Sequence, residues 1–283
     1  MMNTIYLVFV IAALSLQSIV KKPYTMKTAD KGVYCFNAIV SLVAMLFFLL
    51  TGKELSFSLG VLPYSFGFAV SYATTSVFSL MAISCGSLSL TSLFSSYSLM
   101  IPTFYGLIFL KDPVSIGLIP GLILLVISLL LVNKKSGDSR ISLKWLLYVF
   151  LAFAGNGMCS TFQKMQQVAY NGACKNEFMV MALSMVFVVM TVLAFTTARK
   201  EIGTCIKAGW HLAILCGLMN AIVNLLVMIL ANRMSISLMY PLISAGGIVL
   251  TYLVSRFLYK ETLTKIQFLG FVVGVGSIIL LNI

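Results

Sequence analysis

Ten times along this chain an apolar run recurs that is long enough to cross a lipid bilayer, and the stretches between the runs are too short to form a separate domain. A hydrocarbon core of about 30 Å takes roughly 20 helical residues. The runs lie near 4–20, 33–51, 60–83, 88–110, 114–133, 144–162, 178–198, 210–231, 235–258 and 265–282. With 60% hydrophobic and only 9% charged residues, the chain has too little polar surface to cover a water-soluble globule. The fold class expected is an all-α integral membrane protein with ten transmembrane helices, and its first partner is the lipid bilayer. The start, Met1-Met2-Asn3-Thr4, carries no positive charge, so the first run reads as a span and not as a cleaved signal peptide.

Residues 60–133 lie over residues 209–282 without a gap, at a constant offset of 149. Identity is close to what so apolar a composition gives by chance, and the information is in which positions agree. Lys111-Asp112 meets Lys260-Glu261, Gly121 meets Gly270, Ser128 meets Ser277, Asn133 meets Asn282, and Ser71 and Thr75 meet Asn220 and Asn224. The longest polar stretch, Lys134-Lys135-Ser136-Gly137-Asp138-Ser139-Arg140, separates five runs from five. This divides the chain into a first repeat at 1–133, a linker at 134–143 and a second repeat at 144–283. An odd number of spans per unit makes the second copy enter the membrane from the opposite side. The repeats are therefore expected to be inverted, related by a pseudo-twofold axis in the membrane plane.

The net charge of +12 comes from 19 basic against 7 acidic residues. The basic residues are scattered at helix ends with no stripe interleaved with aromatics, which argues against nucleic acid as a partner. Fourteen fall in loops on one side and five on the other, a bias that votes for both termini outside. Six cysteines (35, 85, 159, 174, 205 and 216) show no metal-ligand spacing, so neither a metal site, another cofactor nor disulfides are expected.

All seven acidic residues, Asp30, Glu54, Asp112, Asp138, Glu177, Glu201 and Glu261, fall in loops or at the ends of runs. A pump that exchanges protons for cationic drugs needs a carboxylate at membrane depth, so that mechanism is disfavoured. An enzyme is disfavoured as well. The single histidine, His211, sits beside Trp210 at the start of a run, where an interfacial anchor fits better than a general base. What the chain does offer is ordered, uncharged polarity. Asn220 and Asn224 are four apart and share one helix face, as do their counterparts Ser71 and Thr75. The fourth span is dense in hydroxyls, including Ser95 and Ser96, and the ninth carries Tyr240 and Ser244. Tyr72 offers a flat wall with a polar edge, and Asn156 lies between Gly155 and Gly157 in the sixth span. Two readings satisfy these buried groups: hydrogen bonds between helices, or a cavity filled by water or by a substrate. Gly117 and Gly121, with Gly270 and Gly274, form small faces that pack helices together, within one chain or between two copies, so the assembly is a monomer or a homodimer. Pro102 and Pro241 interrupt the fourth and ninth spans.

Phe257-Leu-Tyr-Lys-Glu261, followed by Gln267, Gly270, Gly274 and a leucine-rich end, resembles the closing helix pair of the drug/metabolite transporter superfamily, specifically its ten-helix EamA-like members. Leu110-Lys-Asp112 with Gly121 is similar to the same motif in the first half. The resemblance implies a multispanning carrier in the cell membrane, often an exporter, with a central cavity walled by the third, fourth, eighth and ninth helices. Two departures stand against it. The stretch 11–18 lacks the first-helix carboxylate of the small multidrug relatives, and the family is drawn with both termini cytoplasmic, against the charge count. The function expected is export of a small polar or zwitterionic metabolite by alternating access to that cavity. A flippase for a lipid or lipid-linked intermediate and a non-transporting membrane subunit are the alternatives.

Overall fold

The computed structural model describes residues 2–28, 32–52, 55–98, 100–109, 142–231, 233, 236–260 and 263–280, with nine further residues between 116 and 131. Among them all regular structure is helical. The elements are α1 (Met2–Thr28), α2 (Val33–Thr51), a 3₁₀ turn at Leu59–Val61, α3 (Leu62–Cys85), α4 (Leu88–Tyr97), α5 (Met100–Phe109), α6 (Leu143–Ala169), α7 (Lys175–Thr197), α8 (Ile202–Ala231), α9 (Ile236–Leu258) and α10 (Lys265–Leu280). Six of these segments, at α1, α2, α3, α6, α7 and α8, are long and apolar enough to cross a membrane. At most half of each apolar window is buried in the protein. The remainder leaves side chains such as Phe9, Leu50, Phe66, Phe150 and Phe195 exposed, which suits contact with lipid and not water. The chain thus has the build of a multi-pass helical membrane protein. The linker at 134–143 lies almost wholly outside the described residues, as do Lys111, Asp112 and Glu261; the span expected at 114–133 is described only in part and is helical at 120, 121, 123, 124, 127, 128 and 131.

Three of the boundaries that differ from the sequence reading have an identifiable cause. The first helix does not stop before Lys21-Lys22-Pro23 but runs on to Thr28 with Pro23 inside it. A proline leaves the carbonyl four residues earlier without its N–H partner, and here that carbonyl, Ile19 O, accepts the Tyr259 hydroxyl at 2.9 Å. The fourth span is two helices, α4 and α5, with Ser98 in a turn between them. Pro102 cannot donate to the Ser98 carbonyl, which instead takes Ile101 N–H in a tighter i to i+3 bond at 3.0 Å. The eighth span is preceded by an extra helical stretch from Ile202, and Gly209 breaks the helical geometry where that stretch meets the membrane segment. Lys27 donates to the Ala208 carbonyl at 3.4 Å, where the stretch ends.

Packing pairs helices of the first half with helices of the second. α3 lies along α6, α1 along α8, and α2 along both α7 and α8, while α3 also meets α7 and α1 also meets α9. Glycines set the closest approaches. A Cβ on Gly155 of α6 would stand 2.8 Å from both the Ser71 carbonyl and the Thr75 nitrogen of α3. Gly117 lies against the Leu280 carbonyl, and a Cβ on Gly274 would meet Tyr97 Oη and stand 2.6 Å from Ser128 Oγ, so these small faces are occupied within one chain. Two serines bond reciprocally across the same interface. Ser128 donates to Gly270 O and Ser277 donates to Gly121 O, each at 2.7 Å. Ser277→Ala is expected to lower unfolding free energy in detergent by about 0.5–1.5 kcal/mol, and Ser128→Ala by more, because the buried Tyr97 hydroxyl, 2.8 Å from Ser128 Oγ, loses its partner as well. Chemical denaturation of the purified variants measures this; a cost for Ser277→Ala as large as that for Ser128→Ala would contradict it.

Candidate functional site: a polar cavity in the middle of the bundle

A cavity of about 230 Å³ lies between α1, α3, α4, α6, α8 and α9. That is the space of roughly eight waters at about 30 Å³ each, or of one small metabolite. Its lining includes residues near the midpoints of their helices: Ser15 of α1, Tyr72 and Thr75 of α3, Asn156 of α6, Asn220 of α8 and Gly247 of α9. Where α3 begins and α6 and α8 end, the lining residues Phe68, Gln163, Val227 and Tyr240 are all buried. Toward the other end lie Lys21, Ile83, Thr91 and Thr251.

Eight of the ten residues singled out as solute-facing line this one cavity: Tyr72, Thr75, Ser95, Asn156, Asn220, Asn224, Tyr240 and Ser244. Ser71 does not. It is buried on α3 and its hydroxyl donates to Gly67 O of its own helix at 2.8 Å. The side chain of Ser96 lies outside the described residues.

The polar faces make hydrogen bonds between helices and also line the cavity. Asn224 Nδ2 donates to Asn220 O at 2.8 Å and to Asn220 Oδ1 at 3.1 Å, and Asn224 Oδ1 accepts Gln163 Nε2 at 2.8 Å. The i, i+4 spacing that places both amides on one face of α8 thus also ties α8 to α6. The Asn220 amide nitrogen makes no hydrogen bond among the described residues and remains available at the cavity wall. Asn156 Nδ2 donates to Ser98 Oγ at 2.7 Å and to Ser95 O at 3.5 Å, so it satisfies backbone and hydroxyl groups released by the break between α4 and α5. Its Oδ1 is left for another partner. Thr75 donates to Ala152 O at 3.0 Å, next to the Gly155 crossing. Tyr72 stacks on Phe68 with ring centroids 5.7 Å apart and planes at 14°, which fixes its face along the wall.

The wall formed by α1 was not identified from sequence, and the one formed by α6 only at Asn156. α1 contributes Leu14, Ser15, Gln17, Ser18 and Lys21, and α6 adds Cys159, Ser160 and Gln163 beside Asn156. The signal is present in both: Ser18 and Lys21 are three apart, Gln17 and Lys21 four apart, and Asn156, Ser160 and Gln163 follow the same helical spacing. Ser15 donates to Gly247 O at 3.2 Å and joins α1 to α9 at the cavity's midpoint. Two lining groups are buried without a partner among the described residues, Gln17 Nε2 and Ser244 Oγ. No Asp or Glu among the described residues lines the cavity. Among the described residues no three His, Cys, Asp or Glu side chains converge as a metal site would require.

No family model matches this chain, and no curated protein matches it. Twenty-eight chains of solved structures do. One, described as "Crystal structure of protein", superposes with a TM-score of 0.64 at 10% sequence identity, over 98% of this chain and 95% of that chain. At that identity the likeness shows a shared fold and nothing of function.

Proposed function

We propose that this protein is a secondary transporter, an exporter of a small polar metabolite in the cell membrane, built as ten helices in two inverted five-helix repeats of the EamA-like drug/metabolite transporter type. The observation that carries the reading is a single polar cavity lined by both halves at corresponding positions. Thr75 and Asn224, Thr91 and Tyr240, and Ser95 and Ser244 are each 149 apart, and all six line it. The packing supports the same twofold relation. Exchanging the halves turns the α3–α6 pair into the α8–α1 pair, and the α1–α9 contact into that of α6 with α4 and α5. It also turns the Ser128–Gly270 hydrogen bond into the Ser277–Gly121 bond. A site shared by two inverted units is suited to alternating access, because rocking one unit against the other opens it to either side. The proposal includes no catalytic step. The lining supplies uncharged donors and acceptors that bind and release a solute, with no nucleophile held beside a base.

The test compares small molecules released by cells overexpressing the wild-type protein with those released by cells overexpressing Asn220→Leu, Asn224→Leu at matched membrane levels. The expected result is at least one polar solute enriched in the medium only with wild type. Identical release profiles would overturn the export reading, and a difference confined to lipids would replace it by lipid movement.

A further inference from the structure

Among the described residues the cavity lining carries one formal charge, and it is positive. Lys21 lines it, no carboxylate does, and the Lys21 ammonium makes no hydrogen bond or ion pair among the described residues. Its neighbour shows the contrast. Lys22 leaves the cavity wall and donates to Gly86 O, just past the end of α3, at 3.1 Å. Lys21 is not at the end of its helix. It stands six residues beyond Ser15, the midpoint of α1, which is about 9 Å along the axis at 1.5 Å per residue. It follows the apolar run 4–20 directly and lines the cavity from within the helix. A cation beside apolar spans is favoured there when it faces a polar cavity and meets a negative partner. One buried polar group beside it has no partner among the described residues, the Gln17 amide nitrogen one turn from Lys21 on α1; a second, the Ser244 hydroxyl, lies on α9 toward the Tyr240 end of the same cavity. Both can donate. An ammonium with an unpartnered amide donor one turn away matches a ligand rich in acceptors and repels one that brings its own positive charge.

We infer that the solute is a small anion whose carboxylate or phosphate group pairs with Lys21. The inference rests on the cavity being the transport site. It narrows the solute to one with net negative charge and assigns α1, the wall absent from the sequence reading, the part of reading that charge.

The test uses the full chain purified in detergent. Thermal unfolding is followed in sodium acetate, succinate, glutamate and phosphate, with sodium chloride at equal ionic strength as reference and ethanolamine and glycerol as cationic and neutral probes. At least one of the four anions is expected to raise the unfolding midpoint of wild type and of Lys21→Arg. In Lys21→Gln its apparent affinity is expected to fall about 10- to 100-fold, the range for a hydrogen bond to a charged group. Stabilisation by phosphate alone or by carboxylates alone identifies which acid group is recognised. The inference is overturned if none of the anions stabilises wild type, if ethanolamine or glycerol alone does, or if Lys21→Gln binds as well as wild type. The underlying transport reading fails separately. An anion that binds in this assay but does not exchange across vesicles containing the protein leaves the anion site standing and removes the transporter. A released solute of zero or positive net charge does the reverse.

Discussion

Replacing Asn220 and Asn224 together by leucine is expected to reduce transport roughly 30- to 140-fold while the protein still reaches the membrane in folded form. The estimate takes two hydrogen bonds to the solute at about 1–1.5 kcal/mol each, with 1.4 kcal/mol corresponding to a factor of ten. Asn220 is the member with a free donor at the wall, and Asn224 holds it in place through its bonds to Asn220 O and Oδ1. The single variant Asn224→Leu should therefore lose activity by releasing Asn220, and Asn220→Leu by removing the contact itself. Gln163 is the group that suffers in the background. Its Nε2 loses its 2.8 Å acceptor on Asn224, and the side chain is buried. An orphaned buried donor costs about 1–3 kcal/mol, a fraction of a typical domain stability of about 5–15 kcal/mol. Adding Gln163→Met removes that orphan, so a triple variant that is stable yet inactive would separate solute binding from folding. Vesicle uptake or release at matched protein levels, read beside the elution profile of the purified protein, measures both quantities. Full transport by the double variant would remove this face of α8 from the site.

The two amides were legible in the sequence because helical spacing is local: residues four apart share a face whatever the helix packs against. The same rule exposed Thr75, which the offset of 149 pairs with Asn224, and both line the cavity. What escaped depends on contacts distant in sequence. Lys21-Lys22-Pro23 has the look of a helix stop, and by local chemistry it is one. The helix continues because the Tyr259 hydroxyl, 240 residues away, takes the carbonyl that Pro23 leaves open. Placing the two lysines in a loop hid the charge that Lys21 brings to the cavity wall. Gln163 was lost in the same way, since the sixth run ends near 162 by hydropathy whereas α6 continues to Ala169. The buried amides Gln163, Gln166 and Gln167 carry it past the apolar stretch, with Gln166 Nε2 bonded to Ala173 O at 2.8 Å. Pro102 was visible as an interruption. That it separates two helices follows from Ser98, whose carbonyl is taken by Ile101 N–H and whose hydroxyl is taken by Asn156.

A large stability effect is expected at Gly155, where sequence offers no more than a small residue beside an asparagine. α6 crosses α3 there so closely that an added Cβ would stand 2.8 Å from two backbone atoms, Ser71 O and Thr75 N, and 3.1 Å from Thr75 Cβ. Backbone cannot rotate aside as a side chain can, so the helices themselves must separate. Overpacking by even a methylene costs about 1–3 kcal/mol. Gly155→Leu, which adds four carbons, is expected to exceed that range and to prevent recovery of monodisperse protein. Separation would also stretch the Thr75–Ala152 hydrogen bond, 3.0 Å long, and widen the cavity beside Thr75 and Asn156. Gly155→Ala should then retain some folded protein but lose solute affinity. Gly276 on α10 supplies the control, because a Cβ there meets nothing within 4 Å. Alanine in a helix interior is favoured over glycine by roughly 0.5–1 kcal/mol, so Gly276→Ala should be neutral or slightly stabilising. Size-exclusion profiles and melting curves of the two alanine variants, compared with wild type, decide the matter: equal behaviour at 155 and 276 would mean that the α3–α6 crossing does not limit the fold.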